Sequence, residues 1–204
     1  MLKHATALRG MSMIEVMVTL TLAALLMALG APTFSTWLHN SRIRTTAESV
    51  VAGLQYAKSE ATARNALVRF QLTTSVGSDC AISASGASWV VDMVDAVVAD
   101  DSVAGQCNQA PSDTVAPSIL QTRSASDGSG STTVQADTAA MVFNGLARLT
   151  PAPNAGITID FTNPSAGLCA ANGGNLTCLR VVVSPAGQVR MCNPRFAAGD
   201  PQAC

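Results

Sequence analysis

The sequence is poor in charge and in aromatic residues. Charged residues make up 12% of the 204 residues, and the formal net charge is −1. This is about half the usual charged share, which excludes a highly charged disordered chain or a histone-like basic protein. The near balance of signs gives no overall attraction to nucleic acid or to acidic membranes. Aromatic residues are only 4%, so a core has to be built from Val, Ala, Leu and Ile.

Histidine is nearly absent, since His4 and His39 are the two positions that carry it. A Ser–His or Cys–His nucleophile pair needs an imidazole within reach, and the C-terminal two-thirds of the chain has none. A zinc site is disfavoured because the sequence has no C-x-x-C motif and no histidine near its cysteines. Two carboxylate pairs occur, which we expect to be solvated charge: Asp92/Asp95 and Asp100/Asp101. We therefore expect no enzyme, no metal and no cofactor.

The chain is rich in apolar residues near its N-terminus. Met11–Ala31 is a run of 21 residues with one charge, Glu15. About 20 such residues cross a bilayer core. The preceding segment, Met1–Gly10, carries Lys3 and Arg9 and no acid. This pattern keeps the N-terminus in the cytoplasm and sends the C-terminal domain across the membrane.

The end of the apolar run does not look like the end of a secretory signal, which places its cleavage site after the run. Residues 31–34 read Ala-Pro-Thr-Phe, a poor A-x-A site, and the small residue Gly10 instead precedes the run. Glu15 is costly within a membrane unless it is paired. It is therefore either functional or placed in the headgroup region.

Gly10, followed by Met11-Ser-Met-Ile-Glu15 and a long apolar helix, resembles the leader and N-terminus of type IV prepilins. The resemblance implies cleavage after Gly10 by a prepilin peptidase and methylation of the new N-terminus at Met11, although the family usually has Phe at that position. Glu15 is then the fifth mature residue. Glu15 of one subunit would pair with the Met11 amine of its neighbour, because opposite charges attract far more strongly at low dielectric than in water.

Pro32 falls where such pilins commonly have a helix-interior proline, which removes a hydrogen bond and bends the helix. A proline in this place is also typical of a helix end. Beyond it, apolar residues recur along one helical face: Ile43, Ala47, Val50, Val51, Leu54, Ala57 and Ala61. We predict one long, bent helix from Ser12 to about Asn65. The expected segments are a leader (1–10), a transmembrane and filament-core helix (11–35), the second half of the helix (36–65) and a β-rich head (66–204).

After Asn65 the hydrophobic period changes from 3.6 to 2, which predicts strands. The predicted strands are 68–72, 89–94, 118–122, 141–144, 157–161, 178–184 and 188–192, and a Pro-Ala-Gly turn at 185–187 joins the last two as a hairpin. The stretch 95–137 is predicted to be mostly loop, with 128–131 as its most flexible part. The predicted fold class is α+β, with the long N-terminal (transmembrane) helix packed on a small antiparallel β-sheet domain.

Six cysteines lie in the last two-thirds of the chain: Cys80, Cys107, Cys169, Cys178, Cys192 and Cys204. An even number beyond the membrane fits disulfide formation in an oxidising periplasm. Six cysteines allow 15 connectivities, and the sequence does not choose between them. Our hypothesis is pairing of nearest neighbours in the sequence, which joins Cys80 to Cys107, Cys169 to Cys178 and Cys192 to Cys204, and each such loop would contribute roughly 2–4 kcal/mol.

Three stretches of the head resemble the GspH/FimT family of pilin-like proteins: 54–72, 142–148 and 180–194. The resemblance implies a pilin-like fold, found in minor pilins of type IV pili and in pseudopilins of type II secretion systems. It implies a single-pass subunit of the bacterial inner membrane whose head is periplasmic and which assembles into a pilus at the cell surface. The implied partners are the prepilin peptidase, other minor pilins and the major pilin.

The FimT branch is associated with DNA capture through a Gly-Arg-x-Arg element in the last hairpin. Here the element reads Gly-Gln-Val-Arg at 187–190, so an amide replaces one arginine. The sequence has eight acids and one base between 79 and 137, but three bases and one acid from 180 onwards. A basic edge of this kind could contact the phosphates of double-stranded DNA, although solvated charge is an equal alternative. The candidate DNA-binding residues are Arg180, Gln188, Arg190 and Arg195.

The leading hypothesis is a minor pilin that joins and helps prime a type IV pilus. Binding of DNA for natural transformation is a second, separate hypothesis. The alternative is a GspH-like pseudopilin of a type II secretion system. Neighbouring genes for pili or for secretion would separate the two.

Overall fold

The computed structural model describes residues 11–94, 101–125 and 131–204, and for residues 29–32 it describes the backbone alone. The predicted leader (1–10) and most of the stretch 128–131 lie outside these residues. The chain divides into two compact units, Met1–Trp37 and Leu38–Cys204. The strands all belong to the second unit.

The long helix α1 runs from Met13 to Arg64. Its end is marked by Asn65, whose φ of 49° is the left-handed conformation that asparagine tolerates just after a helix. The predicted apolar stripe forms the inner face of the second half of α1. Six of its members are fully buried and Val51 is partly buried: Ile43, Ala47, Val50, Leu54, Ala57 and Ala61. The period of 3.6 therefore predicted both the helix and the face that it buries.

In the described part of the chain, eight strands follow α1, and they form two four-stranded sheets. In chain order they are β1 (Val68–Thr73), β2 (Ser88–Met93), β3 (Ile119–Arg123), β4 (Thr133–Ala136), β5 (Ala140–Phe143), β6 (Ile157–Thr162), β7 (Leu179–Val183) and β8 (Val189–Cys192). The first sheet has the order β3-β2-β1-β5 and the second has the order β4-β6-β7-β8. The pairs within each sheet are antiparallel.

The predicted α+β class, with a long helix packed on an antiparallel β-sheet domain, is confirmed, and that domain contains two sheets. The strand β4 lies in the stretch that the sequence predicted to be mostly loop. Its sequence, Thr-Val-Gln-Ala, has one large apolar residue, Val134, which is fully buried. Strand β4 forms because β6 supplies a hydrogen-bonding partner along its whole length, and such long-range pairing is not visible in a four-residue segment.

Both sheets bury their inner faces against the same stripe of α1. Phe70 and Phe143 come from the first sheet, Ile159 and Phe161 come from the second, and all four are fully buried in one cluster with the helix. The helix approaches the first sheet so closely at Gly53 that a Cβ there would lie 2.8 Å from the Phe70 ring.

Three disulfides cross-link the second unit. They join Cys80 to Cys107, Cys169 to Cys178 and Cys192 to Cys204, which is the nearest-neighbour pairing. The first disulfide belongs to a small buried cluster on the outer side of the first sheet, together with Val90, Val103 and Ile119. The segment around Val103 therefore covers that side of the sheet.

Candidate functional site

The N-terminal part of α1 carries the predicted assembly residues. The Ser12 side-chain Oγ accepts the backbone N–H of Glu15 at 3.2 Å, so Ser12 caps the helix and Glu15 stands in its first turn. A carboxylate in the first turn is favoured by the positive end of the helix dipole. This cap was not predicted from the sequence, although Ser followed three residues later by Glu is the pattern of a capping box. Gly10 lies outside the described residues.

The residues from Met11 to Ala28 are all exposed. They include bulky apolar side chains such as Met13, which is 82% exposed, and Leu26, which is 70% exposed. The backbone remains helical through Pro32. Within the described residues, neither part of α1, Met13–Ala28 or Thr33–Arg64, has the length and hydropathy of a membrane span by itself, whereas the two parts together do so as a bent pair.

The C-terminal hairpin holds the predicted DNA-binding residues. Its turn is fixed at Gly187, whose φ is 77° and where a Cβ would lie 1.9 Å from the Ala147 carbonyl oxygen. The Gly187 carbonyl accepts a hydrogen bond from Lys58 Nζ at 2.9 Å. The hairpin turn is therefore held against both α1 and the loop that follows β5.

Two of the predicted arginines are engaged within the protein. The Arg180 guanidinium bonds both carboxylate oxygens of Asp160, its cross-strand neighbour on β6, at 2.7 and 2.8 Å. The hydrogen bond to Asp160 raises the pKa of Arg180. Arg190 donates to the backbone oxygens of Ala203 and Cys204 at 3.0 and 3.4 Å. Both partners of Arg190 are main-chain oxygens, whereas Arg180 is paired with a side-chain carboxylate.

The remaining two candidates, Gln188 and Arg195, are exposed. Strand pairing places Arg190 opposite Val182 and Arg180 opposite Cys192. Arg190 and Arg180 therefore lie on neighbouring strands of the second sheet. Arg180, Gln188 and Arg190 therefore belong to one hairpin, whereas Arg195 lies in the loop between β8 and the C-terminal residues.

That last segment is attached just beyond the end of β8. Asn193 forms a bridge with Ala203, its backbone N–H bonds the Gln202 carbonyl at 2.8 Å, and the Cys192–Cys204 disulfide closes the loop. Arg190 is therefore held beside this segment by its hydrogen bonds to the main chain of Ala203 and Cys204.

The chain matches one protein family, described as "Type II transport protein GspH", over residues 46–187. The chain belongs to the GspH family. This match confirms the family that the resemblance to GspH/FimT proteins indicated from the sequence. The matched range includes the helix stripe from Ala47 onwards and the two sheets up to the hairpin turn. The predicted assembly residues at the N-terminus and three of the DNA-binding candidates lie outside it.

Two crystal structures of the type IV minor pilin FimU from Pseudomonas aeruginosa are similar to this GspH-family chain. Both are 17% identical to it, and the alignments cover 79% and 80% of the chain and 98% and 96% of the FimU chains. The TM-scores are 0.45 and 0.47. No curated protein sequence matches the chain at a significant level.

A buried ion pair lies on the outer side of the first sheet of this GspH-family protein. Asp92 is fully buried, and its carboxylate accepts hydrogen bonds from Arg69 at 2.5 Å and from Gln71 at 2.9 Å. Arg69 also donates to the Asp101 carboxylate at 3.3 Å and to its backbone oxygen at 2.9 Å. Burial raises the pKa of Asp92 to about 6, although the Arg69 guanidinium acts to lower it.

The expectation that Asp92 and Asp101 are solvated charge is therefore wrong. Asp92 is paired across strands with Arg69, and Asp101 brings its segment over the pair. Their predicted companions, Asp95 and Asp100, lie outside the described residues. The sequence showed Asp92 in a strand, but it did not show that this outward face would be covered.

Part of the acidic middle of the GspH-family chain is neutralised in the same way. Arg64, in the last turn of α1, bonds Glu60 at 2.7 Å and Asp113 at 3.0 Å. The hydrogen bond to Glu60 is the main cause that raises the pKa of Arg64. The bases of α1 and β1 thus meet the acids of the middle region, so the separation of charge seen along the sequence is weaker in space.

Proposed function

We propose that the chain is a non-enzymatic minor pilin that joins a type IV pilus and helps to prime its assembly. The observation that carries this proposal is the exposed apolar helix, in which every residue from Met11 to Ala28 is exposed. Its large apolar side chains need either a membrane or other subunits to cover them, because exposed apolar patches of this extent mark membrane or protein contacts. The second unit, Leu38–Cys204, in contrast, has a closed core of its own.

Glu15 is proposed to set the position of the subunit in the filament. Cleavage after Gly10 by a prepilin peptidase would free the Met11 amine, which is then open to methylation. Glu15 of one subunit would pair with the Met11 amine of its neighbour, and each charge would remove the cost of burying the other. Ser12 keeps the first turn of α1 formed, and Pro32 would allow the helix to bend.

The proposed location is the bacterial inner membrane, with the head in the periplasm, followed by the assembled pilus at the cell surface. Lys3 and Arg9 before the apolar run favour this orientation. The three disulfides fit an oxidising compartment. The proposed partners are the prepilin peptidase, the major pilin and other minor pilins.

The test is made on the full chain in its host. Mass spectrometry of the mature protein should find Met11 as the first residue, and sheared filaments should contain the protein. Glu15→Gln should leave its amount in the membrane unchanged and lower its amount in filaments at least 10-fold, because the amine loses its charged partner. Glu48→Gln, which removes the exposed carboxylate paired with Arg44, is the matched control. A mature protein that begins at Met1 or beyond Pro32 contradicts the proposal.

The alternative function is that of a pseudopilin in a type II secretion system. The family description, "Type II transport protein GspH", favours it. Deletion of the gene separates the two functions: loss of pili with normal protein secretion supports the pilus, and the reverse result supports the secretion system.

A second proposed role is binding of double-stranded DNA, which Arg190 and Arg195 support because both are exposed and neither has a carboxylate partner among the described ion pairs. Arg180 contributes less because Asp160 neutralises it. In a gel-shift titration of the detergent-solubilised chain, Arg190→Ala with Arg195→Ala should weaken binding, and added salt should weaken it further. Arg123→Ala, an exposed arginine on β3, is the control. Unchanged affinity in the double variant would remove DNA binding from the proposal.

A further inference from the structure

One end of the first sheet displays three exposed aliphatic side chains, Leu67, Val115 and Leu146, which we call the apical patch. They are 38%, 62% and 77% exposed. All three lie in segments next to strand ends at the end of the head where α1 stops. Apolar side chains gathered in this way mark contact surfaces more often than single exposed ones do.

Strand pairing places the three residues side by side. Val68 is paired with Phe143 and with Met93, so Leu67 lies between the turn that carries Leu146 and the end of β2. The Leu67 carbonyl accepts the Val94 N–H at 2.9 Å. On the far side, the Met93 N–H bonds the Ser118 carbonyl, and the Ser118 N–H bonds the Val115 carbonyl. At about 4.8 Å between neighbouring strands, the patch is about 15 Å across.

The patch is held rigidly beneath its side chains. A Cβ at Gly145 would lie 2.3 Å from the Asn65 side chain, so the Leu146 turn touches the end of α1. Arg64 holds the loop of Val115 through its 3.0 Å bond to Asp113. Because these segments are fixed, contact with a partner would cost little ordering of the chain.

The patch has a negative flank on the side of Val115. There two carboxylates, Glu60 and Asp113, share the single guanidinium of Arg64, which leaves one negative charge in excess. The Asp113 side chain is 56% exposed. Arg148 is exposed on the other flank, in the turn of Leu146, so the negative charge is confined to the Val115 side.

The opposite end of the same unit, the basal face, offers the complement. Leu168 is 66% exposed at the start of the loop closed by Cys169–Cys178, and the Thr177 N–H of this loop bonds Asn40 on α1 at 2.8 Å. Arg42 is exposed and donates to the Ser131 hydroxyl at 3.4 Å, and no ion pair of Arg42 occurs in the described part of the chain. The basal face thus combines an exposed leucine with one positive charge in excess.

The two faces cannot meet within one molecule. The helix between Leu38 and Arg64 separates them by about 40 Å at 1.5 Å per residue. Two different complementary faces on one chain make a heterologous contact, which joins copies head to tail in an open row. A second copy stacked along α1 would place Leu168 on the apical patch and Arg42 beside Asp113.

We propose that the apical patch docks the basal face of a second copy of this chain, a contact that rests on the proposed function because it describes how subunits stack in the filament. Two tagged full-length copies, one with Leu146→Cys and the other with Leu168→Cys, are expressed together and treated with a bifunctional maleimide. All six native cysteines are in disulfides, so the new thiols react selectively. The yield of dimer that carries both tags should be at least 10-fold higher than the yield from either single variant.

Ile82→Cys, at 39% exposure and bridged to Thr73 at the far end of β1, is the matched control and should give no dimer with Leu168→Cys. Asp113→Arg should lower the yield several-fold, and Arg42→Asp in the other copy should restore it. Absence of the dimer while both copies are in filaments overturns the docking, as does cross-linking of Leu146→Cys to a different protein. If the chain stays out of filaments, the proposed function fails. The dimer is then scored in the membrane fraction, where its presence still supports the docking and its absence overturns it.

Discussion

The buried carboxylate of Asp92 makes a prediction about pH that runs against ordinary acid denaturation. Most paired carboxylates have a lower pKa in the folded protein, so they lose stability as the pH falls. Burial raises the pKa of Asp92 to about 6 from its ordinary value of 3.8. The folded protein therefore binds this proton more tightly than the unfolded chain does. The contribution of Asp92 to stability is fully present below pH 3.8 and is lost as the pH rises through 6.

The size of the effect follows from the two pKa values. Between pH 7.5 and pH 4.5 the proton on Asp92 should add about 2 kcal/mol to the free energy of unfolding. Asp92→Asn has the shape of the protonated acid but cannot titrate, so it should lack this gain. The difference between the two proteins is the quantity to compare, because the other carboxylates contribute equally to both.

The assay is chemical denaturation of the detergent-solubilised chain at a series of pH values, followed by the fluorescence of Trp89, which is 3% exposed. The control is Asp160→Asn, which removes a carboxylate that is also paired with an arginine across strands but is a third exposed. It should keep the pH response of the wild type. Parallel curves for the wild type and Asp92→Asn would refute the reasoning, since they would mean that Arg69 keeps Asp92 ionised throughout this range.

Three further predictions concern the packing of the head, and denaturant titration measures each of them. Gly53→Ala should destabilise the head by about 1–3 kcal/mol, because the new methyl group would lie 2.9 Å from the Trp89 ring; an unchanged midpoint would show that α1 can move away. Ser49→Ala should cost about 1 kcal/mol, because it removes the acceptor that the Trp89 indole N–H bonds at 3.0 Å; a loss within error would mean that water replaces it. Gly187→Ala should lower the free energy of unfolding more than Gly53→Ala does, because its Cβ would meet the Ala147 backbone oxygen rather than a ring. The reverse order would show that the hairpin turn is free to shift.

The parts of the fold that the sequence predicts are those in which one element determines its own pattern. The spacing of Ile43, Leu54 and Ala61 is a property of α1 alone, and all three are buried as their period requires. Strands with several alternating apolar residues, such as β1 and β6, were predicted within one or two residues of their ends. Strand β4 was not, because Val134 is its single large apolar residue and its pairing with β6 depends on a distant segment.

The same limit applies to the charged residues. Asp92 and Arg180 look alike in the sequence, since each is a charged residue in an apolar strand. Their surroundings differ because Asp101 and its segment cover the first, while the second lies a third exposed beside Asp160. Which residue lies opposite another is a matter of register and sheet order, and these are fixed by the whole core.

The shared stripe of α1 has a mechanical consequence. Both sheets are attached to the same helical face, so tension carried along α1 acts on the head by sliding the helix past two sheets at once. Many close contacts around residues such as Leu54 and Ala57 would then have to break together, rather than one hydrogen bond after another as when a strand is peeled from a sheet edge. A head built in this way is suited to resist pulling along its helix, and it would yield more readily to a force applied across the ends of its strands.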